Sequence, residues 1–136
     1  MASRIMLVDD EERILEVLAC MFKEIGWDVA TAATPAEALR LVSEEPFRMA
    51  FVDNHIGSME GLELIEQLRA VDPSLQFVIM TGNPDIEMAV RSLKEGVADF
   101  LRKPFHFEDL LVSVEHVNRT IALERQRQDL QKRISP

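Results

Sequence analysis

The chain has 136 residues, 47% of them hydrophobic, and a formal net charge of −9. That length and apolar content fit one compact domain with its own core. The acidic balance, without any long basic stretch, argues against nucleic-acid binding by this segment, because such binding draws on Lys and Arg at phosphates. No apolar stretch approaches the ~20 residues that a membrane-spanning helix needs. No signal peptide is visible before the first apolar run, so a cytoplasmic location is expected. The single Cys20 has no internal disulfide partner and falls within a helical apolar pattern, so it reads as an inert core thiol.

In chain order, the apolar run Ile5 to Val8 reads as a strand and stops at Asp9-Asp10-Glu11. Ile14, Leu18, Met21, Phe22 and Ile25 then recur at helical spacing, with Gly26 as the stop. Asp28 to Ala32 reads as a second strand, and Thr34-Pro35-Ala36-Glu37 is a capping box with Pro at the first helical position. That helix carries Leu39 and Val42 and ends near Pro46. A third strand, Met49 to Val52, ends at Asp53, and a loop holding Gly57 and Gly61 leads to a helix with Leu62, Ile65 and Leu68 that closes before Pro73. The fourth strand, Phe77 to Met80, ends at Thr81-Gly82. Asn83-Pro84 reads as the cap-and-Pro start of a helix whose buried stripe is Ile86, Ala89, Val90 and Leu93 and whose end is Gly96. A short fifth strand, Asp99 to Arg102, precedes Lys103-Pro104. A last helix from Phe107 to Ile134 would be ~42 Å long at the standard rise per residue. Its apolar stripe is Leu110, Val114, Val117 and Ile121, and after Leu123 the sequence turns polar, as a helical linker projecting from the core would.

Strand and helix alternate five times, which predicts a parallel sheet covered by helices on both faces. Right-handed crossovers leave few topologies, and the doubly wound, flavodoxin-like order 2-1-3-4-5 sets the first and third strands side by side at the switch point. Asp9, Asp10 and Asp53 would then meet in one crevice at the carboxyl edge of the sheet, together with Thr81 and Lys103. Adjacent carboxylates are more often helix caps than metal sites, strand ends are often acidic, and a Lys-Pro pair is usually a turn. The combination is what carries weight, since each polar group directly follows a buried strand. Magnesium takes one or two carboxylates and keeps several waters. Asp10 and Asp53 can supply the carboxylates, Asp9 can ligate directly or through water, and the backbone carbonyl of His55 can add an oxygen. A carboxylate such as Asp53 can also act as a nucleophile toward phosphorus. Lys103 and the Thr81 hydroxyl would stabilise the phosphoryl oxygens. An ammonium among carboxylates also offsets their repulsion, so its removal is expected to cost little stability in the metal-free protein.

With these residues in place, the chain resembles a response-regulator receiver domain of two-component signalling from about Ile5 to about Ile121. The resemblance implies that Asp53 accepts a phosphoryl group from a phosphohistidine on a sensor histidine kinase or phosphotransfer protein. It implies that Asp9 and Asp10 form the acidic Mg2+ pair, that Thr81 and Phe100 form the switch, and that Lys103 carries the phosphate-pairing ammonium with a cis bond to Pro104. His55 and Asn83 match positions that modulate phosphoryl lifetime. The segment Gly96-Val97-Ala98-Asp99-Phe100-Leu101-Arg102-Lys103-Pro104-Phe105 looks like receivers that precede transcriptional activators of the enhancer-binding type. Two positions depart from the pattern. Ile56-Gly57 stands where Met-Pro is common, and the switch aromatic is Phe rather than Tyr.

The domain division expected is a receiver over 1-122 and a helical linker over 123-136 toward a C-terminal output domain. A homodimer is expected through the fourth helix, fifth strand and last helix, where Arg91, Lys94, Glu95, Asp99, Arg102, Glu115 and Arg119 carry both signs. His106 and His116 have no partner at ligand spacing and read as structural. Three other functions compete with this reading. A magnesium-dependent aspartyl-phosphate phosphatase needs an acid/base carboxylate two residues after its nucleophile, where this chain has His55. A flavodoxin-like electron carrier needs a phosphate-cradling loop where Asp9-Asp10-Glu11 would repel phosphate. A degenerate, phosphorylation-independent interaction module would not need every chemical position filled, as it is here.

Overall fold

The computed structural model describes residues 3–83 and 85–134. Its main sheet is built from β1 (Arg4–Val8), β2 (Asp28–Ala32), β3 (Met49–Asp53), β6 (Gln76–Thr81) and β7 (Asp99–Arg102). All four pairings are parallel, in the order β2-β1-β3-β6-β7. This is the expected 2-1-3-4-5 arrangement once a small separate hairpin, β4 (His55–Ile56) and β5 (Met59–Glu60), is counted. The helices are α1 (Glu12–Glu24), α2 (Pro35–Glu44), α3 (Gly61–Val71), α4 (Ile86–Lys94) and α5 (Phe107–Ile134).

The continuous apolar runs form central strands because both sheet faces are covered. Met6, Val8, Ala50, Val52, Phe77 and Ile79 point to the face carrying α2, α3 and α4. Ile5, Leu7, Met49, Phe51, Val78 and Met80 point to the opposite face, against α1 and α5. At ~25 cal/mol per Å2 of apolar surface, burial of this kind is the main term favouring the fold. Helix starts follow the local chemistry. The Thr34 Oγ1 accepts from the Glu37 N–H at 3.2 Å, and the Glu37 carboxylate reaches back to the Ala33 N–H at 3.1 Å. Gly26 and Gly96 follow the ends of α1 and α4.

Three expectations are corrected by packing. First, α4 starts at Ile86, where the Asp85 carboxylate caps the Met88 N–H at 2.7 Å. Asn83 is not its cap, and Pro84 lies outside the described residues. Second, the stripe expected to be buried is largely exposed. Ile86 is 83% and Leu93 68% exposed, Val90 also faces outward, and Met88 and Ser92 turn to the core instead. The helix is amphipathic, but its residues at spacing four, Met88 and Ser92, are the ones that meet the sheet; Ser92 hides its hydroxyl by bonding the Met88 carbonyl at 2.8 Å. Third, Cys20 is exposed, because Leu15, Leu18 and Phe22 take the core-facing positions of α1. His116, which reads as structural, lies 3.0 Å from the Asp99 carboxylate.

The hairpin β4–β5 is an element the sequence reading treated as loop. Its two-residue link, Gly57-Ser58, carries a positive φ of 62° at Gly57, as a turn with Gly at its first central position requires. The last helix is continuous to Ile134, and beyond Ile121 it leaves the core, with Leu123 and Leu130 exposed.

Candidate functional site

Parallel pairing of Val8 with Val52 brings the residues that follow them, Asp9 and Asp53, to the same edge of the sheet. Asp9 is fully buried and both its oxygens are occupied. Its Oδ1 accepts from the Glu11 N–H at 2.9 Å, and its Oδ2 accepts from Lys103 Nζ at 2.7 Å. Asp9 thus closes a turn to Glu11 with one oxygen and pairs with Lys103 through the other; it does not cap α1, whose N-cap is Glu11 and has no side-chain cap bond. Asp53 is part-buried, and its Oδ1 accepts both the Asn54 N–H at 2.9 Å and Lys103 Nζ at 3.1 Å. Among the described residues nothing bonds its Oδ2. Asp10 is exposed and takes the Gly57 N–H on Oδ2 at 3.0 Å, which ties the hairpin turn to the site.

Lys103 reaches the two carboxylates from beyond β7 because its own N–H donates to the Thr81 carbonyl at 2.8 Å, fixing its stem beside β6. The Lys103–Pro104 bond is cis. Thr81 is buried and its hydroxyl accepts from the Asn83 N–H at 3.2 Å. Ile79 pairs with Phe100 and Thr81 with Arg102, so Thr81 and Phe100 share the α4 face of the sheet. Phe100 is half-buried there. The His55 side chain is exposed and its backbone is the first residue of the hairpin.

Burial, and after it the nearby Asp9 charge, pushes the Asp53 carboxyl above the usual carboxylate range, with Lys103 opposing both. For Lys103 burial acts to lower the pKa, but its bonds to Asp9 and Asp53 outweigh that and hold it raised, hence charged. One carboxylate oxygen from each of Asp9, Asp10 and Asp53 lies within 4.8 Å of the others. An all-oxygen anionic set of this kind fits a hard divalent cation such as magnesium.

A residue that sequence reading treated only as a loop glycine proves to shape the site. A Cβ on Gly61 would sit 2.3 Å from the Asp53 carbonyl oxygen, and the Gly61 N–H bonds the Asn54 carbonyl. The start of α3 is thus pressed against the backbone that carries Asp53. Gly61→Ala must move one of the two, so we expect it to destabilise the protein by ~2 kcal/mol or more. Thermal melts measure this, and an unchanged Tm would show that the contact relaxes freely. The hairpin before α3 has a sequence signal, Gly57-Ser58 between apolar residues, but its strands of two residues are too short to read.

A doubly wound sheet with acidic residues, a hydroxyl and a lysine at its carboxyl edge defines the architecture of a signalling switch rather than of a flavin carrier. The sequence model of the family described as the response regulator receiver domain matches residues 5–115, and the chain belongs to that family of two-component systems. It is 29% identical over 132 residues to a putative NtrX-like response regulator of Rickettsia bellii, covering 96% of this chain and 28% of that protein. It is 38% identical over 101 residues to the alginate biosynthesis transcriptional regulatory protein AlgB of Pseudomonas putida, covering 74% of this chain and 22% of that one. The chain therefore spans less than a third of the length of these curated relatives. The crystal structure of a CheY-like receiver domain protein from Methanospirillum hungatei superposes with a TM-score of 0.81 at 30% identity, covering 93% of this chain and 99% of that one. No helix among the described residues is long and apolar enough to cross a membrane.

Proposed function

We propose that this domain is a phosphorylation-controlled switch in which Asp53 accepts a phosphoryl group, from a sensor histidine kinase or phosphotransfer protein, in the cytoplasm. The observation that carries this reading is the asymmetry of Asp53. Its Oδ1 is held by Lys103 and the Asn54 N–H, while Oδ2 is left as the attacking atom. In transfer from phosphohistidine, Oδ2 forms the new O–P bond, the N–P bond breaks, and its electron pair returns to the imidazole. Magnesium, when bound by Asp9, Asp10, Asp53 and the His55 carbonyl, supplies charge neutralisation for the phosphoryl oxygens. Lys103 adds a positive charge from the other side, and Thr81 offers a hydroxyl. His55 and Asn83, both exposed, stand at the mouth of the site and modulate access of water to the acyl phosphate; Pro104 sets the turn after Lys103. Intact-mass spectrometry after incubation with acetyl phosphate and magnesium should show one added phosphoryl group per chain, absent in EDTA. Addition that ignores EDTA, or none at all, defeats the reading.

The output follows from the shared face of Thr81 and Phe100. The Thr81 hydroxyl moves toward the phosphoryl group, and Phe100 turns into the space it leaves, a differential contact that links ligand to conformation. The adjoining α4, β7 and α5 then form a homodimer that sets α5, and with it residues 123-136, for a C-terminal output domain that regulates transcription. The structure alters the physical basis expected for this dimer. Arg91 pairs with Glu60, Asp99 with His116 and Glu115 with Arg119 within the chain. The exposed Ile86, Val90 and Leu93 instead offer the apolar surface. Sedimentation should show a dimer tightened by beryllofluoride and magnesium, and Leu93→Asp should abolish it. A wild-type monomer in both states would remove the dimer from the proposal, and a beryllofluoride-bound structure with Thr81 and Phe100 unmoved would remove the switch.

A further inference from the structure

The opposite edge of the sheet carries a second feature. A cleft of about 1030 Å3 opens at the amino ends of β1, β3 and β6, walled on one side by α5 around Thr120 to Gln128. Four arginines line it, each from a different part of the chain: Arg4 from β1, Arg48 from the turn before β3, Arg69 from α3 and Arg125 from α5. Its one carboxylate, Glu124, is paired with Arg127 at 3.1 Å. In a chain of net charge −9 this is a local reversal of sign.

Three of the guanidiniums are held in place while keeping donors spare, and Arg125 is exposed on α5. Arg48 donates Nε to the Asn118 side chain at 2.9 Å, so its terminal nitrogens remain available. Arg69 lies over the Phe77 ring at 5.3 Å and bonds the Glu95 carbonyl through Nη1, leaving Nη2. Arg4 lies over Phe47 at 5.2 Å, pairs with Glu45 through Nη2, and has a buried Nε with no hydrogen-bond partner among the described residues. Among the described residues no carboxylate lies within ion-pair distance of Arg48, Arg69 or Arg125. Pre-oriented guanidinium forks match phosphate oxygens bidentately, and their planar, weakly hydrated heads lose little on binding.

We propose that this cleft binds a compact phosphate-bearing anion, clamped between Arg48 and Arg69 on the domain body and Arg125 on the projecting helix. The arginines surround a concavity rather than forming a stripe, which suits a compact polyanion better than an extended acidic peptide. The Ser3 hydroxyl lies on the lining, while those of Ser74 and Thr120 donate to the Asp72 carboxylate and the His116 carbonyl, so the arginines supply the donors; the cleft volume is that of a small-molecule site. Such a ligand joins α5 to the body at the end remote from Asp53, so it fixes the direction in which the helix leaves.

The test is titration of the 136-residue chain with sodium tripolyphosphate in EDTA, which removes metal-mediated binding at the acidic edge. Calorimetry should show saturable one-to-one binding, and amide NMR shifts should map to Arg48, Arg69 and residues 120–128 with none around Asp53. Arg125→Glu, on an exposed helical turn, should weaken binding at least about tenfold. Lys132→Glu makes the same charge change on the same helix beyond the cleft and should alter affinity less than about twofold. Asp53→Asn should bind as wild type does, so this site stands or falls apart from the phosphorylation reading. No saturable binding, equal losses in the two helix variants, or binding of a Glu-rich peptide in place of tripolyphosphate would overturn the proposal.

Discussion

Asp53→Asn should accept no phosphoryl group from acetyl phosphate and, in the metal-free state, should melt higher than wild type. The first effect is complete because the attacking oxygen is replaced by an amide. The second follows from the raised Asp53 pKa, which burial causes first and the Asp9 charge second. A group whose folded pKa lies above its unfolded value contributes stability that is fully present below the unfolded pKa and is lost as pH rises through the folded one. At neutral pH the ionised Asp53 is therefore a cost that the neutral amide removes. A gain of ~1 kcal/mol, or about 3–6 °C in Tm for a domain of this size, is expected. The two proteins should converge as pH falls below the ordinary carboxylate range, where Asp53 is protonated in the folded and unfolded states alike. Magnesium should reverse the order, since at ten times its Kd a ligand stabilises the wild type by about 1.4 kcal/mol. Melts across pH, with and without magnesium, measure both signs. A variant that is less stable than wild type in EDTA at neutral pH would show that the Lys103 bond outweighs burial at Asp53.

Lys103→Ala should abolish switching and also weaken the fold. The sequence alone suggests little loss of stability, because an ammonium among acids only offsets their repulsion. The structure changes that expectation. Lys103 bonds the fully buried Asp9 at 2.7 Å, and removing one member of a buried pair leaves an uncompensated charge. We expect a loss of ~2–4 kcal/mol in EDTA, partly recovered by magnesium, which can take over the neutralisation of Asp9. Phosphoryl transfer should slow strongly even with magnesium, since phosphorylation adds close to two further negative charges. Chemical denaturation and acetyl phosphate kinetics separate the two effects. Normal phosphorylation and switching in a folded variant would mean that Lys103 is not the phosphate's partner.

These expectations rest on parts of the molecule that differed in how plainly the sequence showed them. The order of elements, the parallel sheet and its switch point were readable because apolar runs such as Ile5 to Val8 and Met49 to Val52 can be satisfied only by strands buried on both faces, and their alternation with helices permits few topologies. The candidate site was readable for the same reason: Asp53 and Thr81 end, and Asp9 and Lys103 follow, strands whose carboxyl edge the topology fixes. The sequence also set the Thr34 capping box, whose bonds are local.

What the tertiary structure alone decided depended on contacts between distant segments. Helical periodicity marked Ile86, Val90 and Leu93 as one face of α4, but only the roll of that helix against the sheet could say that Met88 and Ser92 turn inward and the apolar stripe outward. Asp9 could cap a turn or pair with a lysine 94 residues away, and its burial lets each oxygen do one. Gly61 is required by an approach to the Asp53 backbone that no pattern in its own neighbourhood records. The arginines of the lower cleft lie far apart in sequence, and only the fold gathers them around one cavity, because periodicity encodes which face a residue occupies and not which remote residue will share it.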